Sequence, residues 1–165
     1  MDDSALIETA RYVAVRRLQN RYADVVTRRA WPELAEIFLP DAALDLDTRT
    51  GTVLRFEGPT AVGDFIRDAI AGFEFFEFVI LSHRIELLDG GSAAAGRMYM
   101  CELRQEADTG RFTVAYGVYH DDYREVDGRW WIAGRRYHSM ARTNATGAAD
   151  LDVFGFPPGQ RLPTD

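Results

Sequence analysis

The sequence predicts an α+β fold in which N-terminal helices pack on one face of a curved antiparallel or mixed sheet. Apart from one short hairpin, apolar residues up to about residue 72 recur every three or four positions, which is typical of amphipathic helices. Beyond that point they recur at every second position, which is typical of half-buried strands. Short Gly-containing segments separate the later strands, as in turns between antiparallel neighbours.

Composition and charge exclude several classes of protein. With 165 residues, 47% of them hydrophobic, the chain can build one domain with a real core. A net charge of −7 argues against nucleic acid and against an anionic membrane surface as partners. Cys101 is the only cysteine, so no internal disulfide can form. No pattern indicates a metal site or a cofactor, and we expect neither.

The ends of the chain are predicted from their composition. The N-terminus is acidic, and no apolar stretch approaches the roughly 18 residues that span a bilayer. We therefore expect a cytoplasmic protein. Residues 1–142 are predicted to form a single domain, and residues 143–165, rich in Gly, Pro and Asp, an extended tail.

Three helices are predicted in the first half. The first begins at Ser4, a favourable N-cap, and its arginine-rich side is expected to face solvent. Its apolar face consists of Ile7, Ala10, Ala14, Leu18, Tyr22 and Val25. A short second helix starts at Trp31 and ends at Pro40, and a hairpin turns at residues 49–51. The third helix starts at Pro59. Buried residues expected on the second and third helices are Leu34, Ile37, Phe38, Val62, Phe65, Ile66 and Ala69.

Four long strands follow, at about residues 75–88, 93–107, 112–126 and 129–142. If the hairpin loops are the two-residue pairs at positions 90–91, 109–110 and 127–128, the register of the sheet is fixed. His83 then lies opposite Met98, and Met98 lies opposite Asp121. The same face would carry Met98, Met100, Glu102, Tyr119, Asp121, Tyr123, Arg136 and His138.

A face that mixes apolar side chains with His, Asp, Glu, Tyr and Arg predicts a pocket between the sheet and the helices. Burying those polar groups costs free energy unless they meet each other, water or a ligand. Simpler interpretations remain open. His83 is equally consistent with a buried neutral imidazole that has one hydrogen bond, and Asp121 with Arg136 is more often a structural ion pair. Tyr119 and the methionines are more often packing residues.

Three stretches carry a resemblance to a known family: RYADVVTRRAWPELAEIFLPDAALDLD, LSHRIELLDG and YGVYHDDYREVDGRWWIAGRR. Together they span most of residues 21–136. The sequence resembles the SnoaL-like family of the nuclear transport factor 2-like superfamily. The resemblance implies a cone-shaped α+β barrel that holds a ligand between its helices and its curved sheet.

Within that superfamily, the sequence looks most like the branch of scytalone dehydratase and bile acid 7α-dehydratase. The resemblance implies that His83, which falls on the histidine of the first long strand, acts as general acid or base in removing water from a cyclic substrate. The acid and tyrosine that those enzymes carry before the second helix are replaced by Thr27 and Val26. Tyr22, one turn earlier, lies on the same side of the helix.

We therefore expect a cofactor-independent lyase or isomerase acting on a small, largely apolar cyclic molecule. His83 would transfer the proton, while Tyr119, Asp121 or Tyr22 orients the substrate oxygen. The predicted substrate-binding residues are Phe65, Met98, Met100, Glu102, Arg136 and His138.

The alternative is a non-catalytic ligand-binding protein or an accessory subunit, since the small subunits of ring-hydroxylating dioxygenases are weakly similar. We also expect a homodimer or other small homo-oligomer, because the outer face is rich in aromatic and charged residues. Those residues are Arg84, Glu86, His120, Asp122, Trp131 and Tyr137.

Overall fold

The computed structural model describes residues 3–144 and 151–156. The helical elements are α1 (Asp3–Thr27), a 3-10 helix (Trp31–Glu36), α2 (Gly58–Ile70) and a single 3-10 turn (Asp89–Gly91). The strands are β1 (Phe38–Asp47), β2 (Leu54–Glu57), β3 (Phe73–Leu88), β4 (Ala93–Glu106), β5 (Phe112–Val126), β6 (Arg129–Thr143) and β7 (Leu151–Val153).

The seven strands form one open, mixed sheet in the order β2-β1-β6-β5-β4-β3, and β7 pairs with β6. The β1–β6 pair is parallel, and the other pairs are antiparallel. Helices α1 and α2 pack on one side of this sheet, and the core lies between the two layers. The predicted α+β fold is confirmed, and so are the four long strands.

The second predicted helix is shorter than expected. The 3-10 helix ends at Glu36, and Phe38 already belongs to β1. Strand pairing starts there because the amide of Ile132 on β6 donates to the carbonyl of Ile37. Pro40 lies inside β1 rather than ending a helix, in the stretch where the register with β6 is interrupted. An irregular stretch tolerates a proline because no ladder hydrogen bond from its nitrogen is needed.

Helix α1 follows its predicted apolar face only in its second half. Leu18, Tyr22 and Val25 are buried as expected, whereas Ile7 is exposed. The helix already includes Asp3, so it begins before the predicted cap. Its arginine-rich side is largely exposed, as predicted.

From Ser82 onward the register of β3 with β4 is as predicted, with His83 opposite Met98. Between Ile80 and Ser82 it shifts by one residue, so Phe78 rather than Val79 lies opposite Glu102. The register of β4 with β5 differs by two residues, and Met98 faces Tyr119. The cause is the loop, which covers residues 107–111 so that Gln105 faces Phe112. A shift of two residues keeps every side chain on its predicted face.

The register of β6 is shifted by one residue after Ile132, where a bulge makes Asp121 pair with Arg135. A one-residue shift reverses the two faces of a strand. Arg135 is therefore buried, while Arg136 is exposed and His138 also lies on the outer side. The prediction that Arg136 and His138 face the pocket is wrong for this reason.

The same bulge turns Tyr137 inward, so this residue is not part of the outer face on which a dimer was expected. The oligomeric state stays a prediction. In the predicted tail, β6 runs through Thr143 and β7 returns along it, with the amide of Phe154 donating to the carbonyl of Met140. This part of the tail is held on the sheet. Residues 145–150 and 157–165 lie outside the described residues.

A buried ion pair joins β5 to β6 beneath α1. Arg135 donates from Nε and Nη2 to the two carboxylate oxygens of Asp121 at 2.6 and 2.7 Å, and both side chains are 0% exposed. Tyr123 donates to the same carboxylate at 2.6 Å, and Gln19 of α1 donates to Tyr123 at 2.9 Å. The predicted structural ion pair of Asp121 therefore exists, but its cation is Arg135. Burial by itself lowers the pKa of Arg135, but Asp121 outweighs this and raises it.

Replacing Asp121 with Asn should destabilise the fold by about 3–5 kcal/mol, because it leaves a buried guanidinium without its counter-ion. The measurement is urea unfolding followed by circular dichroism. The matched control is Asp122→Asn, since Asp122 is the exposed neighbour on the same strand. That control should change stability by less than about 0.5 kcal/mol. An equal loss in both variants would contradict this role of the pair.

Candidate functional site

A cavity of about 160 Å³ lies between α1, α2, β1 and the inner face of the sheet. Its apolar wall includes Leu44, Leu46, Phe65, Ile66, Ile70 and Phe78. Its polar and charged lining consists of Tyr22, Thr48, Glu102, Arg104, Tyr119, Tyr137, Ser139 and Arg142. An apolar cavity of about 150 Å³ is enough to bind benzene. The space therefore suits a ligand of about one six-membered ring.

The topology of the sheet places this cavity at one end of the molecule. Its residues come from the last parts of β1, β4 and β6 and from the first parts of β3 and β5. These strand ends lie at the same edge of the sheet, given the antiparallel and parallel pairings. Helix α2 covers this end, where Phe65 stacks on Phe56 of β2 with ring centroids 4.4 Å apart.

Two phenols form the floor of the cavity. Tyr22 of α1 and Tyr119 of β5 meet edge to face, with ring centroids 6.1 Å apart. The guanidinium carbon of Arg135 lies 4.0 Å from the ring of Tyr22 and 4.3 Å from that of Tyr119. Burial raises the pKa of both phenols, so they stay neutral and can donate hydrogen bonds.

Glu102 brings a carboxyl group into the same cavity. It lies on β4 between Phe78 of β3 and Ala115 of β5, which are its direct neighbours across the sheet. Burial raises its pKa, and Arg104, whose Nη1 lies 3.5 Å from the Glu102 carboxylate, offsets part of this. A carboxyl group with a raised pKa exchanges protons closer to neutral pH than an exposed one.

His83 faces the helices, as predicted, but it does not line this cavity. It lies five residues beyond Phe78 on β3, which corresponds to roughly 16 Å along the strand. Its Nε2 lies 3.2 Å from the hydroxyl of Tyr12 on α1. Burial lowers the pKa of His83, and Arg16 lowers it further. The imidazole is thus part of the contact between α1 and β3.

The predicted site residues fall into three groups. Tyr22, Phe65, Glu102 and Tyr119 come together around the cavity. Met98, Met100 and Asp121 are buried in the core away from it, and His83 contacts Tyr12. Arg136 and His138 lie on the outer side, where Nδ1 of His138 lies 3.5 Å from the Asp47 carboxylate.

Several lining residues were missed by the sequence analysis. Arg104 could have been found, since it lies two positions after Glu102 on the same predicted strand. Tyr137 and Ser139 turn inward only after the bulge in β6, and the signal for it was Gly134 inside the predicted strand. A second irregularity beyond Ser139 then turns Arg142 inward.

Within residues 3–144 and 151–156, no group of three or more His, Cys, Asp or Glu side chains is arranged to hold a metal ion. Among the helices in these ranges, none is both long and apolar enough to cross a membrane.

Solved structures share this fold. The crystal structure of LinA superimposes with a TM-score of 0.75 at 20% identity, covering 94% of this chain and 99% of its own. A putative scytalone dehydratase from Novosphingobium aromaticivorans gives 0.72 at 18% identity, covering 98% and 100%. Hexachlorocyclohexane dehydrochlorinase LinA-type3 from Novosphingobium barchaimii gives 0.72 at 19% identity, covering 93% and 99%. These similarities show the fold.

Among curated proteins, none matches the sequence significantly. The model of the SnoaL-like domain, however, matches residues 8–136, which is most of the chain. With its helices on an open, mixed sheet and its cavity between the two layers, the chain belongs to the SnoaL-like domain family.

Proposed function

We propose that this protein binds a small, largely apolar cyclic molecule in the cavity and acts on it as a cofactor-independent lyase or isomerase. The observation that carries the proposal is the convergence of the Glu102 carboxyl group and the neutral phenols of Tyr22 and Tyr119 on an apolar cavity of ring size. Titratable groups with perturbed pKa values in such a cavity are typical of acid–base sites. Both the putative dehydratase and the dehydrochlorinase with this fold are named for eliminations.

In the proposed reaction, Glu102 transfers the proton. Its carboxylate takes a proton from a carbon next to the carbon that bears the leaving hydroxyl. The C–H electron pair forms the double bond, the C–O bond breaks, and the proton passes from Glu102 to the departing oxygen, which leaves as water. Tyr22 and Tyr119 donate hydrogen bonds to a substrate oxygen and stabilise the charge that develops there.

This proposal differs from the expectation that His83 is the acid or base. The hydrogen bond of His83 to Tyr12 lies outside the cavity, so a ring bound against Phe65 and Phe78 is out of its reach. The same observation favours a second candidate function. If the family's histidine chemistry is absent and Glu102 does not replace it, the cavity serves ligand binding alone.

Turnover of a simple β-hydroxy ketone separates these possibilities. We expect the protein to convert 3-hydroxycyclohexanone to cyclohexenone, because the ring fits the cavity and the carbonyl acidifies the proton to be removed. Glu102→Gln should lower the rate by about 10²-fold or more, since general acid–base catalysis contributes about 10²–10⁴-fold. The appearance of the conjugated enone is followed by ultraviolet absorbance.

His83→Gln is the matched control and should retain activity within about threefold. If it abolishes turnover while Glu102→Gln does not, the proton is transferred by His83. Binding of the ketone without any turnover, measured by ligand-observed NMR, would favour the binding protein.

The raised pKa of Glu102 also predicts a pH dependence of stability. Because the folded state binds this proton more tightly than the unfolded state, Glu102 costs stability as the pH rises from its unfolded pKa through its folded pKa. As the pH rises through this range, the free energy of unfolding of Glu102→Gln should increase relative to that of the wild type. Urea unfolding at a series of pH values measures this.

Glu106→Gln on the same strand provides a control of opposite sign. Hydrogen bonds from Arg111 lower the pKa of Glu106, so its carboxylate adds stability that is lost as the pH falls through its folded pKa. Identical pH profiles for the two variants would rule out the burial of the Glu102 carboxyl.

A further inference from the structure

The charged part of the cavity lining is cationic. Among the described residues that line it, the charged side chains are Glu102, Arg104 and Arg142. Two guanidinium groups therefore accompany a single carboxyl group. The lining carries a net charge of +1 when Glu102 is ionised and +2 when it is protonated. A partly desolvated cavity with this balance favours an anion over a cation.

Arg104 has hydrogen-bonding capacity left over. Its guanidinium lies 5.1 Å from the ring centroid of Phe73 and 3.5 Å from the carboxylate of Glu102. Its Nε is buried and has no hydrogen-bond partner among the described residues. A guanidinium group carries five N–H donors, and a buried donor without an acceptor costs free energy. Arg104 is therefore not fully hydrogen-bonded within the described residues.

Arg142 is not neutralised by Glu102. The two residues belong to one row across the sheet, with Ala115 between them, so about 10 Å separates their strands. Arg142 donates to the carbonyl of Thr48 at 3.2 Å and lies 5.1 Å from the ring centroid of Phe154. It forms no salt bridge within residues 3–144 and 151–156. The side-chain contacts of Arg142 are thus with neutral groups, and Asp152, its cross-strand neighbour on β7, forms no salt bridge with it.

The charged and apolar parts of the lining are separate. Arg104 and Arg142 lie near the last residues of β4 and β6, whereas α2 supplies Phe65, Ile66 and Ile70. An amphipathic ligand can therefore place its ring against α2 and its polar group at the strand ends. Arginine is suited to such a group because its planar fork matches a carboxylate bidentately.

We propose that the ligand of this cavity is a cyclic acid, whose anionic group binds Arg104 and Arg142 while its ring packs against α2. The inference rests on the proposed function only in that a small cyclic molecule occupies the cavity. The inference goes beyond the proposed function by assigning a charge to the ligand and by naming two residues that recognise the ligand. A protonated Glu102 would donate a hydrogen bond to the same anionic group.

Three single-ring ligands that differ in charge test this: 4-methylbenzoate, 4-methylbenzamide and 4-methylbenzylamine, titrated calorimetrically at pH 7. The benzoate should bind at least about tenfold more tightly than the amide, because hydrogen bonds from a guanidinium group are stronger to an ionised acceptor. The amine should bind most weakly. Arg104→Gln and Arg142→Gln should each remove about tenfold of the benzoate affinity and leave amide affinity within about twofold.

Arg136→Gln, on the exposed side of β6, is the matched control and should change none of the affinities. If Arg142→Gln does not fold, Arg142→Lys should retain part of the preference for benzoate, since it keeps the charge. Equal binding of benzoate and amide to the wild type would overturn the inference and leave the proposed cavity ligand standing. An equal loss of affinity for all three ligands in the arginine variants would also overturn the inference. Binding of none of the three would refute the proposed function itself.

Discussion

The buried pair of Asp121 and Arg135 is the interaction on which the interior of this protein depends. It lies directly beneath Tyr22 and Tyr119, and it bonds through Tyr123 to Gln19 of α1. The pair thereby ties the helix layer to the sheet. It also divides the interior into two parts. On one side is the open cavity, and on the other the packed region in which His83 contacts Tyr12.

This division separates two groups of residues that the sequence analysis had placed together. All side chains on one face of a strand look equivalent in the sequence, yet a strand of 16 residues is long enough to serve two environments. Along β3, Phe78 borders the cavity, whereas His83 is covered by α1. The periodicity correctly assigned the face of His83. The periodicity could not assign the position of His83 relative to the cavity, because that depends on where α1 and α2 cover the sheet.

The elements of the fold were largely predictable, since they depend on local patterns. The alternation of apolar residues located four strands to within two residues, and Pro59 marked the start of α2. The site was less predictable, because it depends on pairing between strands. The bulge after Ile132 inserts one residue, which exchanges Arg136 for Arg135 and turns Tyr137 inward. The local signal for that bulge is Gly134, because a glycine inside a strand often marks a bulge.

The central claim is that the ligand site lies at the Tyr22, Tyr119 and Glu102 end of the molecule. A crystal equilibrated with bromobenzene tests it most directly, because the ring is neutral and the anomalous signal of bromine locates it without bias. We expect the bromine peak inside the cavity, between α2 and the sheet and next to Phe65 and Phe78. A peak beside Tyr12 and His83 instead, or a saturated crystal with no peak in the cavity, would contradict it.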